Sequence, residues 1–142
     1  MNSLEATKTV VGTPATSATT TATLTLDTLG FADVSVDVIV DRSAVAAHTA
    51  SSILSALSIV HYDSTAATSA TFTTTLPAAS AAVTSQASVI RFDVNMAGKG
   101  RYLKVDATPS TTLRTSIVAR LGNGENAPSS TGEQGTLASY AG

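Results

Sequence analysis

Alternation of valine with polar residues over 34–41 is the clearest pattern in the chain. Every second position holds a valine: Val34, Val36, Val38 and Val40. Because successive side chains of a strand point to opposite faces, this pattern predicts a strand with one buried and one solvated face. The segment 21–26 alternates in the same way, with Ala22, Leu24 and Leu26 predicted inward. We expect these two strands to be neighbours, since consecutive strands usually are.

The last third of the chain predicts three further strands, at 89–95, 101–107 and 113–121. Their predicted inward residues are Ile90, Phe92 and Val94, then Leu103, Val105 and Ala107, then Leu113, Ile117 and Leu121. Glycines at 98 and 100 permit a tight reversal, and Pro109 ends the second strand because proline lacks a backbone donor. We expect three consecutive antiparallel strands.

The middle of the chain predicts shorter strands at 57–62 and 71–75, with a turn at 63–65 and a loop at 76–82. The segment 43–56 is a weak helix former that is rich in serine and threonine, so we interpret it as a long loop. Together the elements predict an all-β fold, an antiparallel β-sandwich or jelly roll of about eight strands.

Both ends of the chain lack the pattern. We predict an N-terminal arm over 1–20, a β-sandwich domain over 21–121 and a C-terminal arm over 122–142. Arms of this kind attach by laying extended backbone along a neighbour, with sparse side chains as anchors. The candidate interaction residues are Val10, Val11, Pro128, Leu137 and Tyr140.

Composition predicts a thin core. Ala, Thr and Ser account for 66 of the 142 residues, whereas Leu, Ile, Val and Phe account for 32. A small core suggests that partner chains contribute burial. Eight Lys and Arg with a net charge of −2 argue against a nucleic-acid partner. No apolar run is long enough to span a membrane, and no secretory signal or cysteine is present, so we expect synthesis in a cytosol.

The candidate chemistry is sparse. His48, His61 and Asp63 have no recognisable metal-ligand spacing, and no Gly-x-Ser-x-Gly turn for a nucleophile occurs. Four acids take outward strand positions, where they solubilise the sheet: Asp37, Asp41, Asp93 and Asp106. The Gly-Lys-Gly and Gly-Asn-Gly triplets predict turns rather than phosphate cradles. We therefore expect no enzyme, no catalytic residue, no cofactor and no metal.

Four segments carry a resemblance to a known family: LDTLGFADVSVDV at 26–38, LSIVHYDS at 57–64, RYLKV at 101–105 and SIVARL at 116–121. In the order of these strand segments and in their residue types, the chain resembles the small jelly-roll cement or decoration proteins of tailed bacteriophage heads. The resemblance covers about residues 24–128. The resemblance implies a homotrimer at threefold positions of the capsid surface, made in the host cytoplasm and carried on the virion. There it would bind adjacent major capsid proteins and stabilise the head.

Two other functions remain open. A receptor- or glycan-binding module of a phage tail or fibre would use Tyr62, Tyr102 and Asp63 in a shallow site. A head-completion or tail-tube protein would assemble into rings.

Overall fold

Eight antiparallel strands make up most of the described structure. The computed structural model describes residues 7–16, 20–41, 53–63, 70–71, 87–110 and 113–124. The strands are β1 (Lys8–Val11), β2 (Ala22–Asp27), β3 (Phe31–Asp41), β4 (Leu54–Tyr62), β5 (Ala70–Thr71), β6 (Ala87–Asn95), β7 (Tyr102–Pro109) and β8 (Arg114–Gly124). The prediction of an all-β sandwich is confirmed.

The strands form two four-stranded sheets. The first sheet has the order β1-β8-β3-β6 and the second has the order β2-β7-β4-β5. The pairs β1–β8, β2–β7, β3–β6 and β4–β5 therefore form, and each of these pairs is antiparallel. This is the order of a long hairpin wound into two sheets, which is the jelly roll.

The core between the sheets is aliphatic. The four alternating valines of β3 are each at most 1% exposed, as the sequence pattern predicts. The opposite sheet contributes a second row of buried residues: Leu24, Leu26, Leu103 and Val105. Phe31 and Phe92 only partly enter this core. Among the described residues, burial therefore rests on small and medium side chains.

Two expectations about neighbouring strands are wrong. β2 and β3 lie in different sheets, because β2 pairs with β7 whereas β3 pairs with β6 and β8. β6, β7 and β8 are likewise not three successive neighbours, since β7 belongs to the second sheet. In this jelly roll consecutive strands change sheets except for β4 and β5, and a tight turn in the sequence does not distinguish a hairpin from such a crossing.

Part of the predicted N-terminal arm belongs to the sandwich. β1 pairs with β8 over residues 8–11, and the Gly12 N–H donates to the Ile117 carbonyl at 2.8 Å. Ala15 exchanges two backbone hydrogen bonds with Thr115 and is 1% exposed. Main-chain bonds hold this segment, so its side chains carry little periodic signal. The sandwich therefore includes residues 8–15, ahead of the boundary at 21.

The boundary of the C-terminal arm also shifts, because β8 continues to Gly124. Pro128, Leu137 and Tyr140 lie outside the described residues, as do most of the predicted 43–56 loop and all of the 76–82 loop. The predicted strand at 71–75 is described only at its first residue, within β5.

Candidate interaction surface

The strand register defines two outer faces that point away from the core. We call the side of the first sheet facing solvent the first outer face. It carries Val11, Ser35, Asp37, Ile39, Asp41, Val89, Arg91, Asp93, Arg114, Ser116, Val118 and Arg120. We call the corresponding side of the second sheet the second outer face. It carries Thr23, Thr25, Asp27, Ser58, Val60, Tyr62, Tyr102, Lys104, Asp106 and Thr108.

Four aliphatic residues cross the first outer face from one edge of the sheet to the other. Val11 lies opposite Val118, and Ile39 lies opposite Val89. Val118 and Ile39 are diagonal neighbours on β8 and β3, close enough for side chains to share a surface. Val11 is 63% exposed and Val89 is 55% exposed. We call these four residues the aliphatic diagonal.

An ion pair between Arg91 and Asp37 borders the aliphatic diagonal. The Arg91 guanidinium donates two hydrogen bonds to Asp37, from Nε at 2.7 Å and from Nη2 at 2.9 Å. These bonds, with the positive charges of Arg91 and Arg120, hold the pKa of the Asp37 carboxyl below its ordinary value of 3.8. We call this pair, together with Arg120, the charged rim of the diagonal.

One end of the first outer face forms a shallow open depression of about 410 Å³. Asp33 is held there by two amides, since Asn95 Nδ2 donates to it at 3.2 Å and Asn123 donates to its other oxygen. Arg120 and Asp93 also line the depression. These charged groups lie on three neighbouring strands, since Asp93 of β6 and Arg120 of β8 stand on either side of Ser35 in β3.

Side chains of the second outer face form hydrogen bonds and an ion pair with one another. Thr23 Oγ1 donates to Asp106 at 2.8 Å, and Lys104 forms an ion pair with the same carboxylate at 2.9 Å. The hydroxyls of Thr21 and Thr108 are 2.9 Å apart and share a hydrogen bond. Such a network satisfies its members within the chain and stabilises the pairing of β2 with β7.

Two tyrosines stack at the end of the second outer face. The rings of Tyr62 and Tyr102 have centroids 5.4 Å apart and an angle of 20° between planes. The Arg101 guanidinium carbon lies 5.1 Å from the Tyr102 centroid, and Arg101 forms a two-bond ion pair with Asp27. These bonds and the positive charge lower the pKa of Asp27.

Gly100 allows the loop before β7 to approach this tyrosine pair. Its N–H donates to His61 Nδ1 at 3.0 Å, and a Cβ at position 100 would lie 2.5 Å from the Tyr62 carbonyl carbon. Only glycine fits so close to another backbone. The predicted Tyr62 and Tyr102 site is thus brought together, with Asp63 exposed beside it.

The structure separates the two N-terminal interaction candidates. Val11 belongs to the aliphatic diagonal, whereas Val10 packs against the core because neighbouring residues of a strand face opposite ways. Sequence reasoning missed the other three members of the diagonal. A signal for them exists, because each stands beside an inward aliphatic: Val38-Ile39, Val89-Ile90 and Ile117-Val118. In an alternating strand, one member of such a pair must face solvent.

Within the residues that the structure describes, no group of three or more His, Asp or Glu residues could hold a metal ion. In the same part of the chain, no helix is long and apolar enough to cross a membrane.

Comparison with known proteins shows a distant similarity in structure. No family model matches the chain, and no curated protein matches it. A solved structure from Bacillus endospore appendages, described as a novel family of disulfide-linked pili, is similar over 82% of this chain and 86% of that chain. The two share 13% sequence identity with a TM-score of 0.32.

Proposed function

We propose that this chain is a structural protein of a tailed-phage head that binds the outer surface of the capsid and cements adjacent major capsid proteins. The observation that carries the proposal is the aliphatic diagonal with its charged rim on the first outer face. An apolar centre surrounded by polar groups is the usual anatomy of a protein interface. The role is mechanical, and no catalytic residue is assigned.

The charges of the first outer face favour a protein partner. It carries Arg91, Arg114 and Arg120 together with Asp37, Asp41 and Asp93, so both signs alternate across it. A surface with both signs meets complementary charges on another protein, whereas a phosphate backbone attracts a surface of one positive sign.

The core also supports a cementing role. Because burial among the described residues rests on small and medium side chains, contact with neighbouring subunits would add stability to the folded state. Attachment at several points raises the effective affinity of weak individual contacts. Residues 1–6 and 125–142 are the segments left for the predicted arms. The homotrimer that the resemblance implies stays a prediction.

The test is attachment of purified protein to phage capsids that lack it. The double variant Val11→Thr/Val118→Thr keeps the shape and β propensity of both side chains but makes half of the diagonal polar. We expect its occupancy on capsids to fall at least about tenfold, since two apolar anchors are lost. The matched control is Val60→Thr, which makes the same change on the second outer face.

Capsid co-sedimentation gives the occupancy, and circular dichroism gives the folded fraction of each variant. If the double variant and the control attach as well as the unchanged protein does, the first outer face is not the capsid-binding surface. If the unchanged protein binds no capsid at all, the proposed function is wrong.

A second function, recognition of a receptor glycan, is favoured by the Tyr62 and Tyr102 pair. Both rings lie on the second outer face beside the exposed Asp63, in a place where sugars could contact ring edges and hydroxyls. Binding of the isolated protein on a glycan array, abolished by Tyr62→Ala and kept by Val11→Thr/Val118→Thr, would support this function over cementing.

A further inference from the structure

β6 differs from the other edge strands of the sandwich. Within the described residues it is hydrogen-bonded to β3 on one side and to no strand on the other. The β3–β6 register runs through nine residue pairs without a bulge, and β6 contains no proline, glycine or lysine. Natural edge strands are usually short, bulged, or protected by proline or lysine, because a regular edge is a template for another strand.

The other edges are short or partly occupied. β1 has four residues including Lys8, and β5 has two. The outer edge of β2 is in use at Thr23, whose backbone exchanges hydrogen bonds of 2.8 and 3.1 Å with Thr13. β6 is thus the long regular edge among the described strands.

The backbone direction of β6 follows from one bond beyond its end. The Met96 N–H donates to the Ala32 carbonyl at 2.8 Å, in the same register as the β3–β6 ladder. Hydrogen-bonded pairs alternate along an antiparallel ladder. Phe92 and Val94 therefore direct their backbone groups towards β3, whereas Arg91 and Asp93 direct theirs towards the outer edge.

We propose that two copies of this chain associate by antiparallel pairing of their β6 strands about a twofold axis at Phe92, which joins two first sheets into one sheet of eight strands. This proposal does not rest on capsid attachment, but it replaces the homotrimer that the resemblance implies with a twofold dimer. It concerns the edge of the first sheet, whereas capsid attachment was argued from the outer face.

The sequence of β6 is complementary to itself in this register. Phe92 meets Phe92 of the second copy on the core side, and Ile90 meets Val94. On the solvent side each Arg91 meets Asp93 of the second copy, so two opposite-charge pairs form across the axis. Shifting the axis to Arg91 would place two arginines opposite each other, and shifting it to Asp93 would place two aspartates opposite each other.

Bonding and burial agree with the same register. Across the axis, Arg91 forms a hydrogen-bonded pair with Asp93 of the second copy, and Val89 forms one with Asn95 of the second copy. Each pair occurs twice and makes two main-chain bonds, which gives about eight bonds. Arg91 uses two of its five N–H donors on Asp37, which leaves donors for Asp93 of the second copy. Phe92 and Val94 face inward yet are only partly buried, and a second β6 strand would cover them.

The experiment exchanges charges across the axis in the full-length chain. Arg91→Asp places one aspartate opposite each Asp93, and Asp93→Arg places arginine opposite arginine, so we expect each variant to dimerise at least about tenfold more weakly. An equimolar mixture restores both opposite-charge pairs in a heterodimer. Sedimentation velocity and native mass spectrometry over roughly 1–100 µM give the populations of each species.

Two proline variants, one on each edge of the first sheet, separate loss of pairing from loss of folding. Asp93→Pro removes an N–H that points to the outer edge, so the β3 ladder keeps its bonds while the edge is blocked. Thr9→Pro makes the matched change on β1, the opposite edge of the same sheet, where the N–H of Thr9 also points outward by the alternation set at Gly12. We expect Asp93→Pro to be monomeric and Thr9→Pro to be dimeric.

The following results would overturn the proposal of a β6–β6 dimer. A monomer over the whole concentration range, or a trimer of the unchanged chain, contradicts it. So does a dimer that Asp93→Arg and Asp93→Pro leave intact, or a mixture of the charge variants that fails to associate. Because Arg91→Asp also breaks the ion pair with Asp37, Asp93→Arg and Asp93→Pro decide the matter if that variant does not fold.

Discussion

The two outer faces of the sandwich are made from similar strands but differ in how their side chains are used. On the second outer face, Thr23, Lys104 and Asp106 bond to each other, and Tyr62 stacks on Tyr102. On the first outer face, the Arg91–Asp37 ion pair lies beside an aliphatic diagonal that stays in solvent at Val11 and Val89. The second face therefore bonds within the chain itself, whereas the first leaves apolar side chains exposed to solvent.

This difference predicts two kinds of mutational effect. Changes to the second outer face should lower the free energy of unfolding, since its side chains bond within the chain. Changes to the aliphatic diagonal of the first outer face should leave stability nearly unchanged and weaken attachment, because an exposed aliphatic side chain contributes little to folding.

Gly100→Ala should give the largest effect. A Cβ at this position would overlap the Tyr62 backbone at 2.5–2.9 Å, so we expect the free energy of unfolding to fall by about 2–3 kcal/mol. Gly122→Ala, on the first outer face, has no atom within 4 Å of its new methyl group and should stay within about 0.5 kcal/mol of the unchanged protein. Urea unfolding of both variants measures the contrast, and equal effects would contradict it.

Tyr102→Ala should give the next effect. It removes the stack on Tyr62 and the contact with Arg101, and we expect a loss of about 1–2 kcal/mol. Tyr102→Phe keeps the ring and should be close to neutral. Thermal unfolding monitored by circular dichroism distinguishes the two variants. A destabilised Phe variant would show instead that the hydroxyl group carries the effect.

Acidification should reveal a smaller contribution from both faces. The folded-state pKa values of Asp27 and Asp37 lie below their ordinary value of 3.8, so folding favours the charged forms. Their stabilisation is fully present above that value and is lost as pH falls through the lowered pKa values. The stability difference between the unchanged chain and Asp37→Asn should therefore shrink towards pH of about 2.

Asp27→Asn is the comparison for the other face. The Asp37 side chain is 16% exposed and that of Asp27 is 43% exposed, so water screens Asp27 more strongly. We expect the smaller difference for Asp27→Asn in urea unfolding across the same pH series. An equal or larger difference would mean that exposure does not govern these pairs.

Val11→Thr/Val118→Thr should have the smallest effect on stability, within about 0.5 kcal/mol, while lowering capsid occupancy. A loss of stability equal to that of Tyr102→Ala would show that the first outer face also serves folding. The comparison of the two faces would then no longer hold.

Much of the fold could be predicted from alternation alone. The inward rows of β2, β3, β7 and β8 follow from the period of two, because a buried face requires an apolar residue at every second position. β1 could not be predicted in this way, since four residues with two exposed or half-exposed valines give no period. Its place is fixed by backbone bonds to β8, which any residue except proline can make.

The candidate interaction surface could be predicted only in part from the sequence. Val11 could be named as an anchor, but Ile39, Val89 and Val118 come from three different strands, and their adjacency depends on the register between those strands. The Tyr62 and Tyr102 pair is similar, because the two residues meet through the β4–β7 pairing across forty positions of the chain.

By itself, the sequence determined which residues of each strand face inward, since the hydrophobic effect acts on each side chain locally. Only the tertiary structure decided which strands are neighbours. Backbone hydrogen bonds form in the same way with any partner strand, so they do not depend on which side chains the strand carries. The order β1-β8-β3-β6, and with it the aliphatic diagonal and the open edge of β6, is a consequence of how the whole chain closes around one core.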